Sequence, residues 1–108
     1  MDFITAKNII EKTYKTTKLS SDCLQIDSNV LLDEFNYAFI CLKQNKNKLI
    51  LTDFSNNLKE INIDEKILQK ICNKYNLKLN NYHLECDFND IFDILNYENC
   101  LKEIFQKK

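Results

Sequence analysis

The chain has no glycine and no proline, the two residues that normally supply left-handed turns and helix stops. Asparagine, which tolerates a positive φ best after glycine, must take over those positions, and Asn45, Asn47, Asn76, Asn80 and Asn81 stand where turns are expected. Arginine is also missing, since all 15 basic residues are lysine. Without the bidentate guanidinium fork that reads phosphate and guanine, the chain is a poor candidate for nucleic acid as a direct ligand. His83 is the single histidine, so no histidine-based metal site or Cys-His-Asp relay can be assembled without it. No apolar run approaches the roughly 20 residues that cross a bilayer. Met1 to Thr17 carries charges along its length rather than an apolar centre, so neither a membrane nor a secretory route is expected.

What is present describes an ordinary globular chain. At 108 residues it has the length of one domain, residues 1–108, and 44% hydrophobic with 29% charged residues suits a folded core rather than a disordered chain. Cys23, Cys41, Cys72, Cys86 and Cys100 are scattered, form no Cys-x-x-Cys pair and are odd in number. They read as reduced thiols acting as small hydrophobes, which points to a cytoplasmic location.

Hydrophobic periodicity orders the elements. Phe3, Ala6, Ile10 and Tyr14 recur at helical spacing and predict a helix from about Asp2 to Thr16. Leu24 and Ile26 alternate with Gln25 and Asp27 as in a short strand. Tyr37 to Leu42 and Leu49 to Thr52 flank a polar Gln-Asn-Lys-Asn-Lys stretch and read as a hairpin. Both of its faces are apolar, so it should be central and covered on both sides, by helices or by a second copy of the chain. Asp64 caps a helix carrying Ile67, Leu68, Ile71, Cys72 and Tyr75 on one face, with Ile63 as a hydrophobic staple on Leu68 and Asn76 as the stop. Leu77 and Leu79, an Asn80-Asn81 turn, and Tyr82, Leu84 and Cys86 predict a second hairpin. A last helix, capped by Asp87 or Asn89, has Ile91, Leu95, Leu101 and Phe105 as its stripe, flanked by Ile94 and Ile104. The expected class is α+β, in the order helix, strand, hairpin, helix, hairpin, helix, with a small antiparallel sheet packed by helices.

The stretch from Leu32 to Ile61, with its Asn-Tyr-Ala-Phe-Ile strand, polar turn and Leu-Ile-Leu-Thr-Asp strand, resembles a bacterial and phage domain-of-unknown-function family, numbered 1828. The Leu-x-x-Ile helix, the Asn-x-Leu-x-Leu hairpin and the final helix follow in the family's order, so the resemblance covers roughly residues 22–106. Asn36 stands where the family prefers aspartate, and Phe54 and Ser55 replace an Asp-Gly pair after Asp53. The resemblance implies the fold and a setting among phage and mobile-element accessory genes, with no activity to carry over.

Three functional readings follow. Between Lys78 and Lys102 no basic residue occurs, while Glu85, Asp87, Asp90, Asp93 and Glu98 all do, whereas Lys7, Lys12, Lys15 and Lys18 make the first segment basic. Such a segment serves equally as a solvated helix start, because Asp87 and Asp90 suit the positive end of a helix dipole. Read functionally, it docks on a larger basic protein, anchored by Phe92 and Tyr97 off the main stripe. With the family's setting added, this leading reading is a non-enzymatic protein-binding module, a phage or mobile-element accessory that inhibits a host nucleic-acid-handling defence protein and uses no cofactor. The second reading is a small metal-dependent hydrolase using Asp33, Glu34 and Asp53, against which Asp53 is more simply a turn former bonding the Ser55 or Asn56 backbone, and Lys43 and Lys48 sit too close to the hairpin turn to assist. The third is a nonspecific nucleic-acid binder using the lysines of the first helix. His83 falls on the outer side of a short strand and is read as structural.

Overall fold

The computed structural model describes residues 1–32, 36–53, 57–58, 61–80 and 82–107. Its elements are α1 (Phe3–Glu11), β1 (Thr16–Ser20), β2 (Cys23–Leu31), β3 (Tyr37–Asn45), β4 (Lys48–Thr52), α2 (Glu65–Lys74), β5 (Lys78–Asn80), β6 (His83–Asp87) and α3 (Ile91–Gln106). The strands form one sheet in the order β1-β2-β3-β4-β6-β5, antiparallel at every step. This is the expected α+β class. Among the described residues no helix is long and apolar enough to cross a membrane.

One face of the sheet carries the core. Leu24, Ile26, Ala38, Ile40, Leu42, Leu49, Leu51 and Leu84 point into a single apolar cluster with Phe3, Ala6 and Ile10 of α1, Leu68, Ile71 and Cys72 of α2, and Ile94, Leu101 and Ile104 of α3. Burial of this face is the main stabilising term, and it decides the register of each strand, since a slip of one residue would turn the apolar set outward. The central hairpin is buried on both faces as its composition requires, but the three helices cover only one of them. On the other, Cys41, Thr52 and Ile50 are buried while Phe39, Lys43 and Glu85 are partly exposed.

Several boundaries differ from the sequence reading. α1 stops at Glu11, and Thr16–Ser20 is an edge strand rather than the end of a helix. Tyr14 keeps helical spacing from Ile10 and is buried, so periodicity alone runs on past the true stop. The threonines at 13, 16 and 17 favour extended backbone. β2 runs on to Leu31 because the polar residue Ser28 points inward onto a hydrogen-bond partner. In α2, Ile67 is exposed rather than on the buried face. α3 is capped by Asp90, not by Asp87 or Asn89, and its inward side comprises Ile94, Tyr97, Glu98, Cys100, Leu101 and Ile104, leaving Leu95 of the expected stripe outside.

Without glycine, left-handed backbone falls, among the described residues, on Lys46 (φ 57), Asn76 (φ 58) and Tyr82 (φ 62). Asn76 ends α2 as expected: its N–H donates to Asn73 O at 3.2 Å and the Leu77 N–H donates to Cys72 O at 3.0 Å, the paired bonds of a Schellman stop. The first hairpin turn falls within the expected polar stretch, but in neither hairpin is the described left-handed residue an asparagine. Asn45 and Lys48 pair directly, so the first turn is Lys46-Asn47 with lysine left-handed. Asn80 pairs with His83, and between them Tyr82 is in the left-handed region, with Asn81 outside the described residues. A left-handed non-glycine residue costs roughly 1–2 kcal/mol, less for asparagine. Lys46→Asn is therefore expected to raise unfolding free energy by about 0.5–1 kcal/mol, and Asn76→Ala to lower it by about 1 kcal/mol. Urea titration of the two variants checks the opposite signs.

Candidate functional site

The acidic segment of the sequence lies where β6 ends and α3 begins, and its residues divide sharply by role. Asp90 is the N-cap of α3, its Oδ1 accepting from Phe92 N at 2.8 Å. Asp93 completes the capping box, its Oδ2 accepting from Asn89 N at 2.6 Å and Asp90 N at 3.0 Å. Glu85 is half-buried on the outer sheet face, opposite Thr52 and Lys78, and Asp87 is exposed at the end of β6. Phe92 is 70% exposed, on the outward side of the helix.

Tyr97 and Glu98 are not on this surface. Tyr97 is fully buried and its hydroxyl donates to Leu84 O at 2.8 Å. Glu98, 5% exposed, accepts from Tyr14 OH at 2.6 Å, Ser28 Oγ at 2.6 Å and Asn29 N at 3.3 Å. A carboxylate with three donors is satisfied inside a core where an unpartnered one would not be. In its place the structure offers Leu95, 44% exposed and one turn along the same outward side as Phe92. The i, i+3 spacing of Phe92 and Leu95 is the signal in the sequence, masked there because Leu95 also fits a plausible core stripe.

The carboxylates of the hydrolase reading do not assemble among the described residues. Asp33 and Glu34 lie outside them, as do Ser55 and Asn56, the expected turn partners of Asp53. Asp53 itself is fully buried, and its Oδ1 accepts from Leu84 N at 3.3 Å, so it faces β6 rather than solvent. Among the described residues no group of three or more histidine, cysteine, aspartate or glutamate side chains is placed to hold a metal ion. His83 lies on the outer sheet face, where its Nε2 meets Thr52 Oγ1. The four early lysines do not share a helix face: Lys7 pairs with Glu11 at 2.8 Å, Lys12 is the C-cap of α1, and Lys18 lies in β1.

Cys41, Cys86 and Tyr14 shift upward, whereas the Cys72 thiol, hydrogen-bonded to Cys100, is lowered. Burial pushes the thiols of Cys41 and Cys86 up to about 12, and burial beside Glu98 raises the Tyr14 phenol. The folded chain holds these protons while the unfolded chain releases them, from the ordinary values of 9.0 for cysteine and 10.0 for tyrosine upward. The stabilisation is fully present below about pH 9 and is lost as pH climbs towards 12, by about 1.4 kcal/mol per pH unit for each such group. Urea midpoints measured between pH 8 and pH 11 are expected to fall monotonically.

The Glu98 contacts make a second prediction. Glu98→Ala strands two buried hydroxyls and is expected to cost about 3 kcal/mol, against about 1 kcal/mol for removal of the Asp90 cap. Asp87→Ala is expected to cost almost nothing, and chemical denaturation of the three variants orders them.

The chain matches no family model, no curated protein and no solved structure.

Proposed function

We propose that the chain is a non-enzymatic protein-binding module whose contact surface is the outward side of the first turns of α3. The observation that carries this reading is the pair Phe92 and Leu95, 70% and 44% exposed, two large apolar side chains one helical turn apart and outside the core cluster. Neighbouring apolar side chains left in water favour burial against a partner. The rim carries Asp87 and Asp90, and no basic residue occurs between Lys78 and Lys102, so the complementary partner is a larger basic protein. Asp90 and Asp93 contribute to that field while their oxygens cap the helix. The setting proposed with this reading is that of a phage or mobile-element accessory acting on a host nucleic-acid-handling protein.

The structure also dictates which variants test the surface cleanly. Reversing Asp90 or Asp93 would remove the capping box together with the charge, so Phe92→Ser, Leu95→Ser and Asp87→Lys are the informative changes. Each should leave the denaturation midpoint close to that of the parent chain. The immobilised chain is expected to retain a basic protein from a lysate of its native host, and the Phe92→Ser, Leu95→Ser double variant to reduce that retention at least about tenfold. Asp87→Lys should weaken retention mainly at low salt. Undiminished retention by the folded double variant would overturn the proposal.

A further inference from the structure

The five cysteines that look scattered in the sequence are brought together by the fold. All are free thiols, and four of them meet in two pairs. Cys72 of α2 touches Cys100 of α3 inside the core, both fully buried. Cys23 of β2 and Cys41 of β3 meet on the opposite, helix-free face of the sheet. The register sets Gln25 opposite Cys41 and Cys23 opposite Lys43, which makes the two cysteines diagonal neighbours on one face.

The two members of this pair are unequal. Cys41 is buried in a central strand, whereas Cys23 is partly exposed and is the first residue of β2, directly after the turn that leads in from β1. The β1–β2 ladder is irregular at that point, its register shifting between Lys18 and Ser20. Diagonal neighbours in a sheet stand roughly 7–8 Å apart at Cα, a little beyond the span of about 4.4–6.8 Å that a disulfide bridges. A strand end beside an irregular turn can move by that difference, and the middle of a central strand cannot.

We propose that Cys23 and Cys41 form a thiol–disulfide site that closes on exposure to a low-molecular-weight disulfide of the glutathione class. Cys23 Sγ, having lost its proton to solvent, attacks one sulfur of the reagent; a mixed disulfide forms, the reagent's S–S bond breaks, and one thiolate leaves and takes up a proton. Cys41 Sγ, deprotonated in turn, attacks Cys23 Sγ and expels the second reagent thiolate. Two protein thiols are oxidised by two electrons and one reagent disulfide is reduced to two thiols. Burial raises both protein thiols, so closure takes minutes to hours rather than seconds. The Cys72–Cys100 pair, enclosed between two helices, is out of the reagent's reach while the chain is folded.

The sequence makes the test direct, because Leu19 to Lys43 contains both Cys23 and Cys41 and no internal lysine. The native full-length chain is incubated with oxidised glutathione, quenched in acid, unfolded, alkylated and cut at lysine. The expected product is the 19–43 peptide lighter by two hydrogens and free of alkylation, with Cys72, Cys86 and Cys100 alkylated. Cys41→Ala should trap glutathione on Cys23, and Cys23→Ser should leave Cys41 alkylated. Full alkylation of the 19–43 peptide in the parent chain, glutathione retained there on Cys23, or prior oxidation of Cys72 and Cys100 would each overturn the proposal.

Discussion

The carboxylate of Glu98 constrains the arrangement of the helical layer more than any other single group. A buried charge is tolerated only where donors surround it, and its three donors come from two separate parts of the chain: Tyr14 beyond the end of α1, and Ser28 with the adjacent Asn29 backbone in β2. Satisfying them together sets the rotation of α3 about its own axis. With Glu98 turned inward, Tyr97 and Leu101 fall into the core and Phe92 and Leu95 face solvent. The surface proposed to bind a partner is thus the geometric complement of an internal hydrogen-bond network, which links the packing of the first helix to the exposure of the last.

A related constraint operates where β4 stops. The strand ends at Thr52, while the backbone beside it on both neighbours still needs partners. Side chains supply them. Asp53 Oδ1 accepts from Leu84 N and Tyr97 OH donates to Leu84 O, so both polar groups of that residue are met from the side. On the other neighbour, Asn57 closes a two-point bridge with Phe39, its Nδ2 donating to Phe39 O at 2.9 Å and its Oδ1 accepting from Phe39 N at 3.3 Å. Asp53, which reads in the sequence as a turn former or a metal ligand, therefore continues a sheet ladder by other means.

These two constraints also explain what the sequence could and could not disclose. Apolar alternation and helical spacing place the central hairpin, β2, α2 and α3 because burial of a continuous face leaves a period in the residues. The Asp64 cap and the Asn76 stop were legible for the same reason, each being a local hydrogen-bond requirement met by nearby residues. β1 was not, because an exposed edge strand buries almost nothing and leaves no period. Tyr97 and Glu98 were misplaced on the surface, and Leu95 in the core, because the partners that draw Glu98 inward lie 70 and 84 positions away in the chain. No local pattern records an interaction at that separation. The left-handed turns at Lys46 and Tyr82 escaped prediction similarly: strand register, decided by core burial, overrode the asparagines next to each turn.

The outer face of the sheet shows how a central hairpin can be buried on the side the helices leave open. A row of paired positions crosses it through Thr17, Gln25, Cys41, Thr52, Glu85 and Lys78, polar at the rims and smallest at the centre. Cys41 and Thr52 are both buried there, and Thr52 Oγ1 meets His83 Nε2. A buried thiol stands diagonal to a second one at a strand end, on the side of the sheet away from α3. The thiol pair and the apolar surface of α3 are thus separated by the sheet itself. Oxidation at the former acts on β2 and β3 without touching Phe92 or Leu95, and hydrogen bonds that tie the sheet to α3 join Ser28 and Asn29 to Glu98 and Leu84 to Tyr97.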